Sequence, residues 1–292
     1  MIRTGKKFSK PEMSRVINGD VVLDSGPEKP EKKRLDLILV GIYKSYNRST
    51  LQKFIENGFV KVDGVLVTKP NQKFEDGVKI ELNVPEGQKN ADLKPEVIYE
   101  DDNVLVLNKP AGLLSMAKGE YCPEKTLEDY GLLVHRLDRD TSGVVIMAKN
   151  EDAQTMLRRQ FQDRKAHKTY YAVVTGRPKM DEARIYLPIA RDKKRPTTFR
   201  VDANGKESET FYKVVKADDK HSLIELRPTT GRTHQLRVHL NYLGHPIMGD
   251  VVYGGEKADR LYLHAKSLEI TLPGGERRTF EAPLPESFNN VF

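Results

Sequence analysis

From residue 96 onward, strand patterns follow one another without the regular strand–helix alternation that an all-parallel sheet requires. EVIYEDDNVLVLNKP holds two short strands, GVVIMAKN is an apolar strand, and TYYAVVTG, SETFYKVV and SLIELRP follow. Helical periodicity intervenes in two places. Asn150 is placed to cap a helix with Ala153, Met156, Leu157 and Phe161 on one face. THQLRVHLNYLG reads as a short helix ending near Gly244. The pattern predicts an α+β domain over residues 96–292, built on a mixed, mainly antiparallel sheet with a few helices packed against it.

The chain ahead of this region has a different texture. Leu35, Ile38, Leu39 and Ile42 recur at helical spacing. Ser49 and Gln52 form a capping-box pattern before Leu51, Phe54 and Ile55, with Gly58 as a stop. FVKVDGVLV then alternates around Asp63-Gly64, a dipeptide that favours a tight hairpin, and GVKIEL supplies another strand. Residues 33–84 thus form a small α+β module, too small to hold an enzyme core comfortably. Residues 85–95, PEGQKNADLKP, read as a linker. Residues 1–32, with GPEKPEKK among them, read as a flexible arm.

Composition narrows the classes. With 38% hydrophobic and 31% charged residues the chain reads as globular and soluble, and no apolar run approaches the roughly 20 residues that cross a bilayer. No apolar segment follows the charges of MIRTGKKFSK, so a cytoplasmic setting is expected and no membrane association. The single cysteine, Cys122, excludes an intrachain disulfide and any cysteine-rich zinc site, including that of the zinc nucleobase deaminases. The net charge of +7 favours a polyanionic partner, though only weakly, since many basic proteins bind no nucleic acid.

Three stretches carry candidate chemistry. In VHRLDRDTSGVVIMAKN, Asp138 lies between Arg136 and Arg139 in a loop that enters an apolar strand. A carboxylate held there by amides and cations can serve as a nucleophile. A structural turn with surface ion pairs explains the same residues and is favoured on composition alone. In RPTTGRTHQLRVHLNYLGHPIMGD, Arg232, His234, Arg237 and His239 crowd a helix expected to begin near Gly231, with residues 232, 236 and 239 on one face. Its N-terminus suits a phosphate or a carboxylate, whereas a solvated basic face also accounts for Arg237. A metal site is a poor reading, because the two histidines are not at metal-ligand spacing and no carboxylate lies between them. In RRQFQDRKAHKTYYAVV, Arg158, Arg159, Arg164, Lys165 and Lys168 alternate with Phe161, Tyr170 and Tyr171. Such a pattern suits phosphates and stacked bases, or a basic helix leading into a core strand. Tyr171 should face away from Tyr170 and pack.

Together these stretches resemble the RluA-type pseudouridine synthases. HRLDRDTSG, KTY before an apolar strand, and GRTHQLRVHL with GHPIMGD match three family motifs in order, and NKPAG at residues 108–112 matches the segment ahead of them. The resemblance covers residues 95 to the C-terminus. It implies that Asp138 is the nucleophile, that Tyr170 contacts the target base and serves as general base, and that Arg232 pairs with Asp138 to keep it ionised. It further implies that Leu236 packs near the ring and that Arg136 fills the stack vacated by the uridine. His135 and Lys168, inside the same motifs, join Arg136 and Leu236 as substrate-binding residues. No cofactor and no metal are expected. RLDLILV, NRSTLQKFIENGFVKVDG and GVKIEL resemble the RNA-binding domain of ribosomal protein S-four, which implies a structured RNA partner.

Two departures stand out. LLSMAKGEYCPEK lacks the His-Pro-Gly usual after NKPAG-L, and few residues separate Thr126 from His135. The pairing of domains implies a uridine isomerase acting on large-subunit ribosomal RNA. A transfer-RNA target is the nearest alternative, and a non-catalytic RNA-binding ribosome-assembly factor on the same fold is another. A glycosidase would need a second carboxylate across the scissile bond, and Asp140 is too close in sequence to supply it.

Overall fold

The computed structural model describes residues 14–17, 20–23, 32–44, 46–84, 92–117 and 124–292. The chain divides into two compact units, Met1–Pro85 and Glu86–Phe292.

In the first unit, helices Leu35–Ile42 and Arg48–Glu56 precede a three-stranded sheet of Val60–Val62, Val65–Leu66 and Ile80–Leu82. Leu35, Leu39, Leu51, Phe54 and Ile55 are buried, as the spacing predicts, whereas Ile42 is exposed. The capping box does not form. Asn47 is the N-cap, accepting from the Thr50 amide, while Ser49 donates to Asn47 and Gln52 donates to buried Asp36. Arg34 and Arg48 also bind the Asp36 carboxylate and, with Gln52, hold its pKa well below the usual carboxylate range despite burial. Asp63 and Gly64 both take positive φ, 50° and 78°, which is the geometry of a two-residue hairpin turn. Where the sequence predicts an arm, Ser14–Ile17 pairs antiparallel with Asp20–Leu23. The rest of residues 1–31, and 85–91 of the expected linker, lie outside the described residues.

The second unit is built on a ten-stranded sheet. Its main path runs Glu182–Tyr186, Glu209–Ala217, His221–Pro228, His167–Thr175, Leu263–Thr271, Ser142–Ala148, Val104–Lys109 and Glu96–Glu100. Leu132–Leu133 and Arg277–Glu281 attach to its side. Among the described strand pairs only one is parallel, where Ser142 and Gly143 meet His264 and Ala265.

Ser142–Ala148 is buried on both faces, which is why its sequence shows no alternation. Val144 and Ile146 pack with Val104, Val106 and Leu157 of helix Glu151–Gln162. Val145 and Met147 pack on the other side with Leu105, Leu107, Leu127 and Leu137. Asn150 caps the helix by accepting from the Ala153 amide. In the other half of the sheet, Leu236 and Leu240 of helix Gln235–Tyr242 pack among Ala172, Val174, Ile224 and Leu263.

The central parallel contact fixes the start of strand Ser142–Ala148 and hence the loop before it. Gly143 sits at φ 111°, and a Cβ there would lie 2.2 Å from the Ala265 carbonyl oxygen. Only glycine allows that approach.

Candidate active site

Asp138 sits at the end of the loop that this contact anchors, with its carbonyl accepting from the Thr141 amide at 3.1 Å. The loop is held from behind by Lys109, whose fully buried ammonium donates to the carbonyls of Pro110, Leu113 and Arg139 at 2.9, 2.7 and 2.7 Å. Burial draws the Lys109 pKa down to about 7, opposed by Asp140 and Asp138. Three carbonyl acceptors match the three hydrogens of the charged form. Ser115, in the segment that departs from the family pattern, fixes Leu137 from both sides. It donates to the Leu137 carbonyl at 2.7 Å and accepts from its amide at 3.1 Å.

The carboxylate faces a cation, but not the one that the resemblance implies. Arg237 Nη1 lies 3.3 Å from Asp138 Oδ2. Its Nε and Nη2 are engaged by Asp250, at 2.7 and 2.8 Å. Asp250 is buried, so the fork is fixed and the remaining nitrogen is aimed at Asp138. These carboxylates push the Arg237 pKa upward, and it remains cationic at any working pH. Arg232 instead donates to the Glu207 carbonyl at 2.9 Å and lines the cavity wall. The correction follows from where the helix begins. Its N-cap is His234 and its first residue Gln235, so Arg232 lies before the helix and shares no helical face with Leu236. Arg237 is buried inside the unit, not displayed on a solvated face.

One cavity of about 460 Å³ gathers the residues to which the resemblance gives a catalytic or substrate-binding role: His135, Arg136, Asp138, Lys168, Tyr170, Arg232 and Leu236 all line it. His135 is half-buried in its wall, accepting from the Ile146 amide at 3.1 Å and stacked on Phe161 with ring centroids 4.4 Å apart. Burial and Lys168 draw its pKa down to about 3, so the ring is neutral. Burial and the Asp138 charge push the Tyr170 phenol upward, so it is protonated where it lines the cavity. The Lys168 ammonium has no hydrogen-bond or ion-pair partner among the described residues, and burial draws its pKa down to about 8. Arg136 is exposed at the rim, donating to Thr233 Oγ1 at 3.0 Å. Tyr171 binds Glu225 away from the cavity, as alternation predicts.

Among the described residues, no group of three histidine, cysteine, aspartate or glutamate side chains could hold a metal ion. No described helix is long and apolar enough to cross a membrane.

The comparisons with known proteins fit this site. The family model described as RNA pseudouridylate synthase matches residues 103–242, and the S4 domain model matches residues 33–80. An RNA pseudouridine synthase of Aquifex aeolicus is 37% identical over 90% of this chain and 93% of its own length. A ribosomal large subunit pseudouridine synthase D of Vibrio vulnificus is 35% identical over 87% of this chain and 88% of its own. Among solved structures, human RNA pseudouridylate synthase domain containing 1 aligns with a TM-score of 0.58 at 29% identity, over 67% of this chain and 86% of that one.

Proposed function

Because this chain belongs to the RNA pseudouridine synthase family, we propose that it isomerises specific uridines of large-subunit ribosomal RNA, with Asp138 as the nucleophile. The observation that carries the reading is the Asp138 carboxylate, aimed into the cavity and held on one side by the Arg237–Asp250 fork.

The reaction is an isomerisation of RNA. The bond from uracil N1 to the ribose breaks, the base turns, and a bond forms from C5 to the same sugar carbon. C5 gives up a proton and N1 gains one, so atoms balance without a co-reactant. The base must leave its stack to be reached. A cavity of 460 Å³ is large enough for one nucleoside. Arg136, exposed and bonded to Thr233, is the residue proposed to fill the vacated gap. Tyr170 and Leu236 offer the ring a wall, and Arg237 holds one oxygen of the Asp138 carboxylate. The ribosomal target rests on the relatives carrying that name and on the S4 match at residues 33–80. The setting proposed is the cytoplasm.

The test is release of tritium from C5-labelled uridine in large-subunit ribosomal RNA and in transfer RNA. Release from the former alone is expected. Release only from transfer RNA overturns the target, and RNA binding without release supports an assembly factor instead.

Lys168 is the cation assigned to the phosphate of the flipped nucleotide. It is charged below about pH 8 and neutral above, so RNA affinity should weaken as pH rises through that value. Bound phosphate favours the charged form and moves the transition upward. Lys168→Arg should abolish the transition. Affinities measured from pH 6.5 to 9 that stay flat in the wild type would contradict this role.

The unit Met1–Pro85 is proposed as a second grip on RNA. Deleting residues 1–90 should leave a folded remainder that still isomerises short stem-loops. Affinity for long RNA should fall, and the salt slope should flatten by about 0.7–0.9 per lost phosphate contact. Equal slopes for both proteins on long RNA would rule out the grip.

A further inference from the structure

His234 stands beside Asp138 in a backbone conformation that side chains rarely adopt. It is the N-cap of helix Gln235–Tyr242 at φ 57° and ψ 20°, yet its side chain makes no capping hydrogen bond. The turn instead swings the imidazole into the cavity wall. There Nδ1 lies 2.7 Å from the Tyr253 hydroxyl and Nε2 lies 3.9 Å from Asp138 Oδ2. Phe199 and Tyr253 meet the ring edge-on, each with centroids 5.6 Å away, and hold its plane.

The neighbours also fix where its hydrogen sits. The Tyr253 oxygen accepts from the Phe199 amide at 2.9 Å, and a backbone N–H can only donate. Among the described residues His234 Nδ1 is the one remaining partner of that hydroxyl, and we assign the hydroxyl hydrogen to it. A neutral imidazole that accepts at Nδ1 carries its own hydrogen on Nε2, the atom facing Asp138.

We propose that His234 is a positioning residue for the nucleophile, its Nε2–H locked by Tyr253 and directed, beside Arg237, at one oxygen of Asp138. Arg237 donates to Oδ2 at 3.3 Å, and His234 Nε2 stands 3.9 Å from the same oxygen. Oδ1 has no hydrogen-bond partner among the described residues and is the oxygen left free to face the substrate. The inference rests on the reading of Asp138 as nucleophile. The charged groups facing the ring are Asp138 and Asp250, which favour its protonation, and Arg237 and Arg136, which oppose it. Burial outweighs them and lowers its pKa, so the ring acts near neutral pH as a neutral donor.

The experiment is single-turnover pseudouridine formation with RNA affinity measured in parallel. His234→Leu should lower the rate about tenfold, less than the loss of a direct transition-state donor, and leave affinity unchanged. His234→Gln, which restores an N–H, should recover part of the rate. Tyr253→Phe should slow the reaction through the same histidine, so the double variant His234→Leu/Tyr253→Phe should be no slower than His234→Leu. Additive losses that track falling thermal stability would overturn the proposal in favour of simple packing, and so would an unchanged rate in His234→Leu. Should His234→Leu fail to fold, nitrogen NMR of the wild-type ring decides: a hydrogen on Nε2 supports the proposal and a hydrogen on Nδ1 overturns it. A wild type that forms no pseudouridine would overturn the reading of Asp138 itself, a failure distinct from one confined to His234.

Discussion

Asp138→Asn is expected to abolish turnover while leaving RNA affinity near that of the wild type. The amide is almost the same size as the carboxylate and keeps the loop's shape. It also retains an oxygen to accept from Arg237 at a contact that is now 3.3 Å. What it lacks is the negative charge that makes the carboxylate oxygen nucleophilic. The loss should reach at least about 10⁴-fold, the scale on which removal of one member of a catalytic unit is felt. The measurement is tritium release from C5-labelled RNA beside a binding titration. Turnover near wild type in the variant would end the assignment of Asp138.

Arg237→Met should produce the second-largest effect, and a different kind. Methionine fills similar space but leaves Asp250 buried without its cation and Asp138 without its arginine. Breaking a buried ion pair from one side costs about 3–5 kcal/mol, so the melting temperature should fall along with the rate. Arg232→Met separates the two arginines. Its guanidinium binds a backbone carbonyl and lines the cavity, so its loss should weaken RNA binding and its salt dependence with little change in the rate of bound RNA. Stability and rate preserved in Arg237→Met but lost in Arg232→Met would restore the pairing that the motif resemblance implies.

The exchange between these arginines marks how far sequence reasoning reached. The hydrophobic pattern located the sheet strands, because Ser142–Ala148 is buried on both faces and so reads as a continuous apolar run. It also located the helix after Asn150, whose cap is local. The start of helix Gln235–Tyr242 was not legible. Its cap is a left-handed histidine whose own side chain makes no capping hydrogen bond. A shift of four residues at that end carried Arg232 off the helix and hid Arg237. Asp250 and Lys109 were hidden for a related reason. Asp250 meets Arg237 through the fold, 13 residues along the chain, and Lys109 binds carbonyl oxygens that every residue possesses. The hairpin of Ser14–Ile17 and Asp20–Leu23 did leave a local signal, the intervening Asn18-Gly19. The prolines and charges of GPEKPEKK, further along the same stretch, weighed against it.

The central claim is that this chain converts specific uridines of large-subunit ribosomal RNA through Asp138. The most direct measurement is a map of pseudouridine across that RNA in cells without the chain, with the wild-type chain restored, and with Asp138→Asn restored. One or a few positions should lose pseudouridine in its absence, regain it with the wild type and remain uridine with the variant. An unchanged map without the chain, or full recovery with Asp138→Asn, would contradict the account.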